Sequence, residues 1–139
     1  MQTSGKTVLI VDDNFDFADT VANLLQHYGF VTRIATSRRD ALVYVGDGDF
    51  TFCLLDFMMD GMSPKEFVAA TRSRCPNIYF ILMSGIEDIY EEASKLGITT
   101  VLPKTSGIEM IVSTLDRIRS AKFPSSSDSG QIEIWHSNS

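Results

Sequence analysis

Short, uninterrupted apolar runs alternate along the chain with longer segments in which apolar residues recur every three or four positions. Continuous apolar runs rich in β-branched and aromatic residues are typical of strands that are buried on both faces of a parallel sheet. The pattern therefore predicts five strands, at residues 6–11, 30–35, 50–55, 77–83 and 99–102.

The segments between these runs have helical spacing and recognisable ends. Phe17, Val21 and Leu25 fall on one face of the first predicted helix, which Asn14 caps. A capping box with proline at the first helical position marks another helix start at residues 63–66. Helices are predicted at residues 15–28, 38–45, 64–74, 86–96 and 108–122, with a turn at 46–49 after the second.

Strands that alternate with helices of this length predict an α/β fold, a doubly wound five-stranded parallel sheet with helices on both faces. Parallel neighbours in such a sheet are joined by right-handed crossover helices. We expect one folded domain over residues 1–123. The Ser-rich residues 124–139 have a linker-like composition and are expected to form a flexible C-terminal tail.

Composition limits the classes of function. The 139 residues are 44% hydrophobic and 22% charged, which is typical of a soluble globular domain. The net charge of −6 provides no basic surface, so direct binding of nucleic acid is not expected. No apolar run reaches the length of a membrane-spanning helix and no signal-peptide core follows the N-terminus. We therefore expect a cytoplasmic protein without a membrane span.

Polar residues follow four of the predicted strands. Asp12 and Asp13 come after the first strand, Asp56 after the third, Ser84 after the fourth and Lys104 after the last. The carboxyl ends of parallel strands meet at one edge of the sheet, so these five residues should converge there. Three neighbouring carboxylates repel one another, which predicts a hard cation such as Mg²⁺. The lysine and the hydroxyl could hold phosphoryl oxygens while one aspartate acts as nucleophile and forms an acyl phosphate.

This ordered set of residues resembles the receiver domain of two-component response regulators, in particular its chemotaxis-regulator-like members, over about residues 6–122. The resemblance implies a flavodoxin-like sheet with strand order 2-1-3-4-5. It also implies a Mg²⁺ site in which Asp13 binds the ion directly and Asp12 acts mostly through a metal-bound water. Asp56 and the backbone carbonyl of Met58 would complete the ligand set.

The same resemblance implies a phosphoacceptor switch in a phosphorelay. Asp56 would accept the phosphoryl group from a histidine kinase or a histidine phosphotransfer protein, Ser84 would hydrogen-bond the phosphoryl oxygens, and Lys104 would pair with the phosphate. The chain would be no metabolic enzyme, since its only catalysis would be its own Mg²⁺-dependent phosphorylation and dephosphorylation. An output protein would dock on the face built from the fourth helix, fifth strand and fifth helix.

Three positions depart from the usual pattern of that family. Val101 stands where an aromatic residue is usual, Thr105 where a proline usually follows the lysine, and Met59-Asp60 where a Met-Pro pair is usual. They leave open an alternative, a phosphorylation-independent pseudo-receiver that acts as a protein-interaction module. A phosphatase or nucleotide-binding enzyme is not supported, because the chain has no Gly-rich phosphate loop and no aspartate two residues after Asp56.

Two further groups of side chains receive interpretations that involve no chemistry. Arg38 and Arg39 are expected on a solvated face of the second helix. Met58, Met59 and Met62 are expected to fill irregular space in the core. Neither group of side chains is assigned a part in the chemistry.

Overall fold

The computed structural model describes residues 6–85 and 89–122. The strands in these ranges are β1 (Thr7–Val11), β2 (Val31–Ala35), β3 (Phe52–Asp56), β4 (Tyr79–Ser84) and β5 (Thr100–Pro103). All pair in parallel and form one sheet in the order β2-β1-β3-β4-β5. The predicted doubly wound α/β fold and its strand order are therefore confirmed.

Helices cover both faces of this sheet. They are α1 (Phe15–His27), α2 (Arg38–Asp47), α3 (Pro64–Arg74), α4 (Tyr90–Lys95) and α5 (Ile108–Lys122), with a 3₁₀ turn at Lys104–Ser106. Ile10 and Leu54 pack with α1 and α5, whereas Leu9 and Leu55 pack with α2, α3 and α4. All four side chains are fully buried, as expected for central strands covered on both sides.

The starts of the strands differ slightly from the predicted ones. β1, β2, β4 and β5 begin one or two residues later than the apolar runs indicate, and β3 begins at Phe52 instead of residue 50. Near β3 the Thr7 hydroxyl donates to the Asp49 carbonyl and accepts from the Thr51 amide. The Thr51 backbone also bonds to Thr7 and Tyr79, so the chain approaches the sheet at residue 51 and the regular strand begins at Phe52.

Three helices begin directly after residues whose side chains cap them. Asn14 and Ser37 accept hydrogen bonds from the amides of Phe17 and Asp40, and the predicted capping box at residues 63–66 is present. The second helix extends to Asp47, beyond the predicted end at residue 45. The amide of the following residue bonds to the carbonyl of residue 44, which completes one more turn.

Two predictions fall partly or wholly outside the described residues. The fourth helix was expected over residues 86–96; α4 is described at Tyr90–Lys95, and residues 86–88 are outside the described ranges. The predicted tail at 124–139 is also outside them. No helix in the described part of the chain has the length and apolarity needed to cross a bilayer.

Candidate functional site

The carboxyl edge of the sheet brings the predicted site residues together. Asp12 directly follows β1, Asp56 is the last residue of β3, and Ser84 is the buried last residue of β4. Asp56 is in register with Met83, the residue before Ser84, so the ends of β3 and β4 are adjacent. Lys104 begins the 3₁₀ turn that follows β5. Asp56 and Ser84 are therefore the final residues of their strands, whereas the sequence pattern predicted that both would lie just beyond the strand ends.

Three carboxylates share a small volume at this edge. One oxygen from each of Asp12, Asp13 and Asp56 lies within 4.8 Å of the others. Asp12 and Asp56 are buried, whereas Asp13 is exposed. Oδ2 of Asp12 is buried and lies 2.7 Å from the Lys104 ammonium, with which it forms an ion pair. An all-oxygen donor set of three converging carboxylates fits a hard divalent cation. These three residues could hold a metal ion.

Lys104 connects two of the carboxylates. Its Nζ lies 2.7 Å from Asp12 Oδ2 and 3.3 Å from Asp56 Oδ2. The ammonium also lies 4.7 Å from the centroid of the Phe17 ring, within the range of a cation–π attraction. The sequence places Phe17 on the apolar face of α1 and contains no local sign of this contact. The ring and the two carboxylates together limit where the Lys104 side chain can lie.

The ionisation of Asp56 and Lys104 is perturbed in the metal-free protein. Burial raises the pKa of Asp56 and the charge of Asp12 raises it further, against the opposing effects of the Met58 amide and Lys104. Burial disfavours the charged form of Lys104, but the hydrogen bond to Asp12 and the charges of both aspartates outweigh it, so the pKa of Lys104 is raised.

This perturbation predicts a pH dependence of stability in the absence of metal. The folded protein binds a proton at Asp56 more tightly than the unfolded chain, whose pKa is close to the ordinary value of 3.8. The contribution of Asp56 to the free energy of unfolding should therefore decrease as pH rises from 3.8 through its raised pKa in the folded state. Urea unfolding at a series of pH values, compared with an Asp56→Asn variant, measures this contribution.

The stability advantage of the Asp56→Asn variant should grow across that pH window, because asparagine does not titrate. Carboxylates outside the cluster are present in both proteins, so their contributions cancel in the comparison. An advantage that is the same at every pH would contradict the raised pKa.

Arg38 is buried, and the expectation of a solvated Arg38 was wrong. Its side chain is 1% exposed, and its guanidinium donates to backbone carbonyls of the β3–α3 loop, residues 57–63. Arg38 lies on the same face of α2 as the buried residues Ala41 and Val45. That helical spacing was the signal in the sequence that could have identified it. Arg39, one position further along the helix, is exposed as expected.

The methionines of the β3–α3 loop divide into two kinds. Met59 and Met62 pack against the core that lies under α2, α3 and α4, as expected. The Met58 side chain is 54% exposed, so the core-filling prediction was wrong for this residue. The Met58 amide donates to Asp56 Oδ1 at 3.1 Å. The backbone of residue 58 is thereby held beside Asp56 while its side chain faces solvent.

Solved structures with this fold include proteins of similar sequence. A response regulator protein from Burkholderia pseudomallei, solved with a phosphorylated aspartic acid, a calcium ion and citrate, is 26% identical, with a TM-score of 0.69. The match covers 86% of this chain and 75% of that one. The chemotaxis protein CheY4 of Vibrio cholerae is 28% identical, with a TM-score of 0.72, over 81% of this chain and 97% of that one.

Sequence comparison leads to the same group of proteins. A response regulator receiver protein of Anaeromyxobacter sp. is 32% identical over 106 residues, which are 75% of this chain and 44% of that protein. The chain spans less than two thirds of the length of the curated relatives it matches. Residues 8–116 match the response regulator receiver domain, over most of the chain and all five strands except the first residue of β1. The chain therefore belongs to the response regulator receiver domain family.

Proposed function

We propose that this receiver domain is a phosphoacceptor switch in a two-component phosphorelay, and that Asp56 accepts the phosphoryl group with Mg²⁺ bound. The donor would be a phosphohistidine of a histidine kinase or a histidine phosphotransfer protein. The position of Asp56 carries the proposal: it is buried, bonded to the Met58 amide, and 3.3 Å from the Lys104 ammonium. The phosphorylated aspartic acid and calcium ion of the Burkholderia protein support chemistry of this kind.

The acidic cluster and the adjacent backbone fit the proposed ion. Asp13 and Asp56 would bind Mg²⁺ through their carboxylates, Met58 through its backbone carbonyl, and Asp12 through a water. Mg²⁺ prefers oxygen ligands and retains several waters, which suits a site with one exposed and two buried carboxylates. Bound there, the ion would neutralise the negative charge that develops on the transferring phosphoryl group.

The side chains of the site account for the transfer itself. A carboxylate oxygen of Asp56 forms a bond to phosphorus while the phosphorus–nitrogen bond of the phosphohistidine breaks, and the electron pair of that bond leaves with the imidazole. The Lys104 ammonium, already beside Asp56, pairs with a phosphoryl oxygen, and the Ser84 hydroxyl donates to another. Attack of water on phosphorus later releases inorganic phosphate and restores the Asp56 carboxylate.

The product of this chemistry is a signalling state. Receiver domains are signalling domains, and the catalysis proposed for this one is limited to its own phosphorylation and dephosphorylation. Phosphorylation would shift an equilibrium between two conformations of the face formed by α4, β5 and α5, where an output protein would dock. The cytoplasmic location and the lack of nucleic acid binding remain predictions from the sequence.

Intact mass spectrometry tests the proposal. The protein is incubated with acetyl phosphate in Mg²⁺ and, in parallel, in excess EDTA. We expect one added phosphoryl group in Mg²⁺ and none in EDTA, because the carboxylate cluster needs a cation before it can accept a phosphorylated donor. Calorimetric titration with Mg²⁺ and with beryllofluoride measures binding independently of the lifetime of the acyl phosphate.

The pseudo-receiver alternative predicts a different set of results. A folded protein that forms no adduct and binds neither Mg²⁺ nor beryllofluoride would act by protein interaction alone. Binding of both without an adduct would indicate an acyl phosphate that hydrolyses faster than the sampling time, and the phosphoacceptor function would stand.

A further inference from the structure

The two terminal nitrogens of Arg38 donate to one short stretch of backbone, whereas its buried Nε has no partner among the described residues. Nη1 donates to the carbonyls of Met59 at 3.2 Å and Met62 at 2.5 Å. Nη2 donates to the carbonyls of Asp56 at 3.3 Å and Phe57 at 3.0 Å. One guanidinium therefore bonds to both ends of the loop that follows the proposed phosphoacceptor.

Burial of the Arg38 guanidinium among backbone carbonyls carries a desolvation penalty. Transfer of a charge out of water is unfavourable unless the charge is paired, and Arg38 has no carboxylate within ion-pair distance in the described part of the chain. Burial lowers the pKa of Arg38, while the charges of Asp56 and Asp13 raise it from a greater distance. The acidic cluster is thus the countercharge of Arg38, and the loop carbonyls supply its hydrogen bonds.

The carbonyl of Met58 is not among the four backbone acceptors of Arg38. Arg38 binds the carbonyls of Phe57 and Met59 on either side of it, and the Met58 amide is held by Asp56. Gly61, with φ of 95°, lies between the two later acceptors and has a backbone conformation that other residues rarely adopt. These hydrogen bonds hold the backbone on both sides of residue 58, and none of those found in the described part of the chain involves the Met58 carbonyl.

We infer that Arg38 is a positioning residue for the proposed metal site: it holds the β3–α3 loop so that the Met58 carbonyl faces the acidic cluster before the ion binds. The inference rests on the function proposed above and adds a residue outside the site itself. Preorganisation removes the cost of ordering the loop from the binding free energy, so loss of Arg38 should weaken Mg²⁺ binding. Arg38 contacts neither the ion nor the phosphoryl group in this arrangement.

Three variants separate positioning from other effects. Arg38→Ala removes all four hydrogen bonds, Arg38→Lys retains the charge but lacks the planar fork that reaches both ends of the loop, and Arg39→Ala removes an exposed arginine from the adjacent position. Calorimetry measures the dissociation constant for Mg²⁺. Hydrogen exchange of the amides of residues 57–62 measures loop order in the metal-free protein, and circular dichroism verifies folding.

We expect Arg38→Ala to weaken Mg²⁺ binding about 10-fold or more, in line with the loss of groups that orient metal ligands. Exchange of the loop amides should accelerate by a similar factor. Arg38→Lys should recover only a minor part of both effects, and Arg39→Ala should behave as the unaltered protein. In phosphorylation by acetyl phosphate, the Mg²⁺ concentration for half-maximal rate should rise more than the maximal rate falls.

Several results would overturn the inference. Unchanged Mg²⁺ affinity or unchanged loop exchange in a folded Arg38→Ala variant would do so, and full recovery by Arg38→Lys would show that the charge alone matters. If Arg38→Ala does not fold, Arg38→Lys decides by the same two measurements. Failure of the unaltered protein to bind Mg²⁺ would instead contradict the proposed function, and loop exchange in the metal-free variants would still test whether Arg38 orders the loop.

Discussion

Asp56→Asn is expected to abolish the phosphoryl adduct that acetyl phosphate forms in Mg²⁺, with the rate falling by at least about 10³-fold. An amide is neutral and a poor nucleophile, so it cannot form the acyl phosphate, and it is also a weaker ligand for Mg²⁺. The carboxylate that it replaces is buried, accepts a hydrogen bond from the Met58 amide and lies 3.3 Å from the Lys104 ammonium. A time course of intact mass measures the loss.

Asp60→Asn provides the matched control for that experiment. Asp60 is exposed in the same loop, and the substitution makes the same change of charge and shape. Its adduct should form at the rate of the unaltered protein. An adduct that persists in Asp56→Asn would move the phosphoacceptor to another aspartate of the cluster, whereas loss in both variants would indicate an effect of net charge on the whole edge of the sheet.

Phe52→Ala is expected to lower the free energy of unfolding by about 3–5 kcal/mol. Phe52 is fully buried in β3 and packs edge-to-face against Phe30, at a centroid distance of 6.3 Å, and Tyr79, at 6.0 Å. The substitution removes the transfer free energy of a large side chain and leaves a cavity in the middle layer of a rigid core. Such a loss is a large part of the total stability of an ordinary domain, about 5–15 kcal/mol.

Urea unfolding followed by far-ultraviolet circular dichroism measures this loss. Phe15→Ala is the control, because Phe15 is the same residue type at the start of α1 but is 53% exposed. Its effect should be within about 0.5 kcal/mol, the usual range for surface positions. Losses of equal size in the two variants would contradict the assignment of Phe52 to the core.

The central strands are the part of the fold that the sequence predicts most directly. β1, β3 and β4 are buried on both faces, so their apolar runs have almost no polar interruption. Boundaries were less predictable, because they depend on contacts between distant segments. Next to the start of β3, for example, the Thr7 hydroxyl bonds to residues 49 and 51, which are more than 40 positions away in the sequence.

The sequence predicts the residues that the strand topology brings to one edge of the sheet. It does not predict contacts that depend on the course of individual side chains and loops. Parallel strands end at one edge, so Asp12, Asp56 and Lys104 could be expected to meet before any distance was known. The contacts of Arg38 depend on the path of the β3–α3 loop. The contact of Phe17 depends on where the Lys104 side chain lies relative to α1. For Arg38, the solvated interpretation weighed its charge above its helical spacing, and the buried guanidinium shows that the spacing was the better guide.

The ion pairs of Lys104 join the residue that follows β1 and the last residue of β3 to the turn that follows β5, the last of the described strands in sequence order. Synthesis proceeds from the N-terminus, so Asp12 and Asp56 emerge well before Lys104. Until β5 follows, β4 has an open edge and the buried carboxylates lack the ammonium that pairs with them. The nascent chain therefore receives its last edge strand and this countercharge together, which favours completion of the sheet only after residue 104 is made.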